Sequence, residues 1–321
     1  MTSATPESTI RIGISSCLLG ERVRYNGAGK RDAYVNDILG RFVEFVPVCP
    51  EVEIGMPTPR EAIRLQMQAG TVHLVGSNSG EDHTRKMQSY ARRKARELAK
   101  LELSGYLLKK DSPSCGMERV RVYDGSGRPR KNGIGMFAQS LMEAFPELPF
   151  EEEGRLHDAR LRENFLERVF AYKRLQNLFR PRWKLGDLVR FHTAEKLLLL
   201  AHDPASYRAL GPVVAGAKKL ERGALEERYR TLFMAGMRHQ ATVRRHVNVL
   251  QHIQGYFKRA ASAEDRRELE GVIENFRSGL VPLIVPITLV RHFVRVYDVS
   301  YLQGQTYLEP NPKELMLRNH V

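Results

Sequence analysis

A chain of 321 residues with 42% hydrophobic content is long enough for two domains with a sizeable core, and too apolar to be disordered. Its net charge of +14, from 51 basic and 37 acidic residues, favours a polyanionic partner, nucleic acid first among them. Residues 1–150 contribute +5 of that excess and residues 151–321 contribute +9.

Three cysteines, an odd number far apart in the chain, do not make a secreted disulfide framework. Met1 to Ser8 is polar and lacks the apolar core of a signal peptide. The most apolar segment, Leu280 to Val290, is interrupted by Pro282 and Pro286 and is too short to span a bilayer. The expectation is a cytoplasmic protein with reduced thiols and no membrane attachment.

In chain order, the first half alternates strand and helix signals. Ile10 to Ser15 reads as a strand that runs into Cys17. Arg24-Tyr25-Asn26-Gly27 ends in a turn pair, and Arg31 to Leu39 reads as a helix closed by Gly40. Phe42 to Val48 is the second strand, running into Cys49-Pro50-Glu51, and Pro50 to Arg60 is a Pro- and Gly-rich loop. Leu65 to Val75, with Ala69-Gly70 in the middle, reads as a hairpin. Asp82 to Leu103 is a long helix with Met87, Ala91, Ala95, Leu98 and Leu101 at helical spacing, and Arg92, Arg93, Lys94, Arg96 and Lys100 on its other faces. The buried-strand run Tyr106 to Leu108 leads into Lys110-Asp111-Ser112-Pro113-Ser114-Cys115-Gly116. Arg119 to Tyr123, a Gly-Ser-Gly turn at 125–127 and a helix over Gly135 to Ala144 follow. The predicted fold class is an α/β, Rossmann-like parallel-sheet domain over residues 1–152.

From about Glu151 the pattern becomes helical throughout. Leu161, Phe165, Val169, Tyr172 and Leu175 form one stripe, and Leu185 to Ala201, Leu225 to Met237, Val243 to Phe257 and Leu269 to Phe276 read the same way. The prediction is an all-α domain over residues 153–321.

The cysteines are the chemical signal. Each follows an apolar run that reads as a strand, beside Gly, Pro or Ser, and open α/β sheets bind ligands at the carboxyl ends of their strands. If those strands are parallel neighbours, the three thiols meet on one sheet crest. Thiolates select zinc, copper(I) and iron–sulfur clusters. Close Cys-x-x-Cys pairs for structural zinc are absent, as is the His-x-Glu with Pro-Cys-x-x-Cys signature of zinc deaminases. Three cysteines on a [4Fe-4S] cluster leave one iron open as a Lewis acid or a sulfur-binding position.

Ser15-Ser16-Cys17-Leu18-Leu19-Gly20 with Arg24-Tyr25-Asn26-Gly27, Val48-Cys49-Pro50-Glu51, and Lys110 to Gly116 resemble the motifs of the bacterial thiouracil/thiouridine desulfidase family. The resemblance covers roughly residues 8–150, and three spaced motifs in the right order are specific. The helical remainder looks like the accessory domain of the family's tRNA-acting branch. The resemblance implies a [4Fe-4S] cluster on Cys17, Cys49 and Cys115 and non-redox removal of sulfur from a thiolated pyrimidine, the substrate sulfur binding the open iron. It also implies catalytic acid/base roles at Glu51 and Ser112.

Those two residues suit the chemistry. Replacing C=S by C=O needs an activated water and a moving proton, which Glu51 can serve as general base or acid and Ser112 as donor and acceptor. Ser114 stands two residues from Ser112 as the competing serine. Asn26, Lys110, Asp111 and Ser114 are candidate substrate-binding residues, with an Asn-Gly turn the competing role for Asn26. In the second half, Arg180, Arg182, Trp183 and Lys184, and then Arg244 and Arg245, combine cations with an aromatic in a way that suits phosphate contact and base stacking, with solvated helical faces as the alternative. The expected function is conversion of 4-thiouridine in tRNA to uridine. The alternatives are the same reaction on free 2-thiouracil or a thionucleoside, and a cluster-bearing RNA-binding or redox-sensing module without catalysis.

Overall fold

The computed structural model describes residues 9–124 and 128–320, so the polar start Met1 to Ser8 and the turn at 125–127 lie outside the described residues. The chain divides into two units, residues 1–157 and 158–321. This division lies five residues beyond the expected 152/153. The difference has a physical cause: Phe150–Glu152 forms the last strand of the first unit, and the turn after it returns Glu153 to Lys109 and Arg155 to Glu118 and Glu151.

The first unit is an α/β domain. Its main sheet takes β1 (Arg11–Ser15), β2 (Glu44–Val48), β5 (Gly105–Leu108) and β8 (Phe150–Glu152) in the order β2-β1-β5-β8, every pair parallel. Between β2 and β5 the chain forms β3 (Ile63–Gln68) and β4 (Thr71–Gly76); β6 (Val120–Tyr123) and β7 (Arg130–Gly133) follow β5. These four make a second sheet in the order β4-β3-β6-β7. The hairpin β3–β4 turns on Ala69 and Gly70, both at positive φ, which twists with the flanking strands. The apolar strand β5 is buried throughout, as a parallel strand covered on both faces must be. Gly13 of β1 is required by close approach: a Cβ there would stand 2.3 Å from the ring of Tyr106, its register partner on β5.

Three helices complete the unit: α1 (Pro50–Glu53), α2 (Thr84–Ala99) and α3 (Met136–Ala144). Met87, Tyr90, Ala91, Ala95 and Leu98 make the buried stripe of α2. Where a helix was expected over 31–39, the chain forms a π-helical turn at Tyr34–Ile38 and a 3-10 turn at Leu39–Arg41. The Asn36 amide donates to the Leu18 and Asp32 carbonyls, and Asp32 caps the Val35 N–H, so side chains compete with the regular ladder.

The second unit is all-helical: α4 (Ala159–Leu178), α5 (Leu185–His202), α6 (Pro204–Ala215), α7 (Arg222–Met237), α8 (Val243–Tyr256), α9 (Ala263–Arg277), α10 (Ile284–Val296) and the short α11 (Ser300–Gln303). Asp158, Asp203, Thr242 and Ser262 cap their helices with side-chain oxygens. Besides the short α11, two helices were not legible in the sequence. Among the residues of α6 only Leu210 and Val213 are buried, so its apolar pattern is thin, and it carries Pro212 inside. In α10, Pro286 sits in the first turn, where a missing N–H leaves no helical bond unmade. No helix is long and apolar enough to cross a membrane among the described residues.

The second unit also buries an ionic cluster. Glu167 on α4 accepts from Arg318 (2.9 Å) and pairs with His202 (2.9 Å), while Glu163 lies 3.7 Å from Arg318 Nε. Burial and the neighbouring Glu167 push Glu163 up. Burial works against Glu167 as well, but Arg318 and His202 outweigh it and hold the carboxyl down. Burial, with Arg318 adding, lowers His246 to about 3.

Candidate active site

β1, β2 and β5 are neighbours, and the loops after them carry the three cysteines. Cys17 lies in the 3-10 turn Ser16–Leu19, Cys49 at the N-terminus of α1, and Cys115 seven residues beyond β5. The chain leaves β1 for β2 on one side and returns to β5 on the other, so the site occupies the crevice where the strand order reverses. A cavity of about 340 Å³ opens there, lined by all three cysteines with Glu51, Arg60, Lys109, Lys110, Asp111 and Ser112. Arg24 and Tyr25 stand at it too, the Arg24 guanidinium 5.8 Å from the centre of the half-exposed Tyr25 ring.

The cysteine loop is fixed from below by α3. The N–H groups of Met136 and Phe137 donate to the carbonyls of Pro113 and Ser114 (both 3.0 Å), using donors a helix start leaves unpaired. Gly135 permits this contact, since a Cβ there would fall 2.6 Å from the Ser114 backbone.

Cys17, Cys49 and Cys115 are free thiols. Burial pushes Cys17 up to about 11, with Lys109 opposing, and raises Cys49. Burial raises Cys115 furthest, and the Glu51 carboxylate adds to it. Without a bound cation these are neutral, reduced donors. Among the described residues no three His, Cys, Asp or Glu side chains converge where a single ion would sit, and the three thiols stand around a cavity.

The expected acid/base residues form a chain of hydrogen bonds. Arg60 grips Glu51 through Nε (3.0 Å to Oε2) and Nη2. Ser114 Oγ donates to Glu51 Oε1 (2.6 Å), and the Ser112 and Ser114 hydroxyls are 2.9 Å apart. Since Ser114 gives its proton to Glu51, Ser112 gives its own to Ser114. Ser112 Oγ in turn accepts from the Cys115 N–H at 3.1 Å. Ser112 lines the cavity, whereas Ser114 is 0% exposed and joins Ser112 to Glu51.

The remaining expected residues divide plainly. Lys110 and Asp111 line the cavity, Asp111 with φ of 60°. Asn26 does not: its side-chain oxygen accepts from the Ala28 N–H, the turn role. Arg180, Arg182, Lys184 and Arg244 are exposed in the second unit. Arg245 donates to the carbonyls of His202 and Gln240. Trp183 is buried, edge-on to Phe179 at 5.1 Å and with one face beneath the Arg222 guanidinium at 4.8 Å, so little of the ring is open to a base.

Sequence reasoning missed Arg60 and Lys109. Arg60 is 3% exposed at its side chain and also donates to the Val23 carbonyl. Lys109 pairs with Glu153 at 2.5 Å and, with Arg24 adding, opposes the rise of Cys17. Lys109 adjoins the motif starting at Lys110 and was open to notice there; nothing in the sequence ties Arg60 to Glu51.

Residues 12–153 match the 2-thiouracil desulfurase family, and residues 196–312 match a family described as a protein of unknown function, DUF1722. An uncharacterized protein of Bacillus subtilis, YbbK, is 31% identical over 138 residues, 41% of this chain and 89% of YbbK. The chain belongs to the 2-thiouracil desulfurase family. An uncharacterized protein of Escherichia coli, YbgA, is 34% identical over 161 residues, 50% of this chain and 95% of YbgA. Among solved structures, a [4Fe-4S]-dependent thiouracil desulfidase, TudS, is 32% identical over 46% of this chain and 94% of its own, with a TM-score of 0.39.

Proposed function

We propose that this desulfurase-family protein converts a thiolated pyrimidine, 4-thiouridine in tRNA, to the oxygen form in the cytoplasm, using a [4Fe-4S] cluster held by Cys17, Cys49 and Cys115. The observation that carries the reading is the hydrogen-bonded line Glu51–Ser114–Ser112, which ends at the cavity the three thiols share. The donor set fits the cluster: three free cysteines around one cavity, with Arg60, Lys109 and Lys110 to offset the thiolate charge. When bound, a cluster on three cysteines supplies an iron without a protein ligand, which attracts the substrate sulfur and polarises its bond to carbon.

The chain's own residues handle water and protons. The reaction takes one water and one C=S group and yields C=O and hydrogen sulfide. As water adds to the ring carbon, its proton passes to Ser112 Oγ while the Ser112 proton moves to Ser114 and the Ser114 proton to Glu51. In the second step the order reverses, and Ser112 protonates the ring nitrogen or the departing sulfur. Arg60 holds the Glu51 carboxylate with Oε1 facing Ser114. Tyr25 and Arg24 at the cavity can stack on the base and meet a phosphate. This proton line argues against a pure sensor, which needs no relay.

The net charge of +14 supports a tRNA substrate, and the second reading is free 2-thiouracil, a small base that needs no surface beyond the cavity. Anaerobically purified, iron-loaded protein incubated in parallel with thiolated tRNA and free 2-thiouracil decides between them, with sulfide and product both measured. Sulfide from tRNA is the expected result. Sulfide from the free base alone moves the substrate, and none from either overturns the enzyme reading.

A further inference from the structure

The excess positive charge of the first half is not spread over its surface. Residues 84–100, α2 with its C-terminal cap, hold seven Lys/Arg and one Glu, a net of +6. Residues 1–150 together net only +5, so the rest of that half is slightly acidic. Arg85, Arg92, Arg96 and Lys100 recur at helical spacing along one exposed line, with Lys86 beside it. Among the described residues none of these five is paired with a carboxylate. The only acid on the helix, Glu97, is taken by Lys94 at 2.8 Å and Arg93 at 3.8 Å.

This arrangement works against the helix that carries it. Arg92 with Arg96, and Arg96 with Lys100, are like charges four residues apart, and such pairs destabilise a helix. Arg85 and Lys86 stand in the first turn, where the macrodipole disfavours cations, and no acidic residue is there to offset them. A surface shaped for solubility alone would mix the two signs. The stripe covers about 16 Å from Arg85 to Arg96 at the ordinary rise per residue. It belongs to the same unit as the cavity: Lys94 of α2 holds Glu53 of α1 at 2.7 Å, and α1 also carries Glu51.

We infer that the exposed cationic line Arg85–Arg92–Arg96–Lys100 of α2 is an RNA-docking surface that grips the phosphate backbone of the substrate tRNA from the catalytic unit itself. It rests on the tRNA reading of the site and moves the grip to a helix that the sequence expectation, centred on residues 180–184 and 244–245, did not include. Cations set in line along one helix face suit the phosphates of one backbone, and phosphate contacts fix register without reading sequence.

The test uses the full-length protein and unmodified tRNA, with binding followed by fluorescence anisotropy across a salt series. The Arg85→Gln/Arg92→Gln/Arg96→Gln variant keeps helix-forming residues at exposed positions. Its far-UV circular dichroism should match the parent. Expected are an affinity at least about tenfold weaker near 0.1 M salt and a log–log salt slope shallower by about two to three units, roughly one for each phosphate no longer neutralised. An Arg180→Gln/Arg182→Gln/Arg244→Gln variant of equal charge change should move the slope less. If the parent binds tRNA with a steep slope and the α2 variant does the same, this docking surface is wrong while the tRNA reading stands. If the parent shows no salt-dependent tRNA binding, or prefers vesicles of anionic lipid, the tRNA reading falls and the docking surface with it.

Discussion

Ser114 Oγ donates to Glu51 Oε1 across 2.6 Å, although the two residues stand 63 positions apart in the chain. Ser114 is sealed from solvent and also reaches Ser112, so it joins a half-buried carboxylate to a second group at the same cavity, the Ser112 hydroxyl. In the proposed reaction Ser112 and Ser114 share one line instead of competing for one role.

That line predicts a pattern of losses. Glu51→Gln should lower kcat by about two to four orders of magnitude, the usual span for a positioned acid or base. Ser112→Ala and Ser114→Ala should each fall in the same range with iron content unchanged. Because they interrupt one relay, the double variant should be no slower than the worse single one. Losses that multiply in the double variant would mean two independent roles and no relay.

The cysteines predict a spectroscopic outcome separate from turnover. Anaerobic protein should carry about four irons per chain with the broad visible absorption of sulfur-to-iron charge transfer. Cys17→Ala, Cys49→Ala or Cys115→Ala should each lose most of that iron, since a cluster with two protein ligands is poorly held. Three variants with full iron would remove these residues from the cofactor site.

How much of this was legible in the sequence depends on the kind of signal. The thiols were legible because each follows a short apolar run and sits beside Gly, Pro or Ser, and the parallel order β2-β1-β5 then brings them together. The second sheet was legible only in part: its hairpin β3–β4 was, but β7, Arg130–Gly133, is polar and largely exposed and shows no alternation. Arg60 was hidden for another reason. Its partner Glu51 sits nine residues away across an irregular loop, and loops have no period from which a contact can be read. Trp183 shows the converse: an aromatic among Arg and Lys looks like a stacking site, but nothing in that local run shows whether α7 covers it with Arg222.

The burial of Trp183 predicts stability loss where a nucleic-acid contact was expected. Trp183→Ala removes a side chain only 9% exposed and should destabilise the protein by about 3–5 kcal/mol, as large-to-small changes in a core do. Trp183→Phe should recover most of it. Chemical denaturation followed by circular dichroism reads this directly, and a Trp183→Ala protein as stable as the parent but weaker on tRNA would restore the stacking role.

The buried cluster of the second unit predicts a pH dependence in which one member, Glu163, has the opposite sign to ordinary acid unfolding. His246, lowered to about 3 from 6.5, stays neutral in the fold where the unfolded chain would take a proton, so its effect is that stability rises with pH up to about 6.5. Glu167, held down by Arg318 and His202 against its burial, adds stability that is complete above the ordinary carboxylate range and is lost only as pH falls below it. Glu163 is raised by burial and by Glu167, so the fold keeps a proton that the unfolded chain releases, and stability falls as pH rises above the ordinary carboxylate range. Above pH 6.5 only the Glu163 effect of the three still changes. Trp183, the only tryptophan in the chain, reports unfolding of this unit by its fluorescence. Denaturation midpoints should therefore decline from pH 6.5 toward the alkaline side. In Glu163→Gln, whose side chain stays neutral as the protonated acid does, that decline should flatten. An equally steep decline in Glu163→Gln would mean that Glu163 is already ionised at neutral pH beside Arg318.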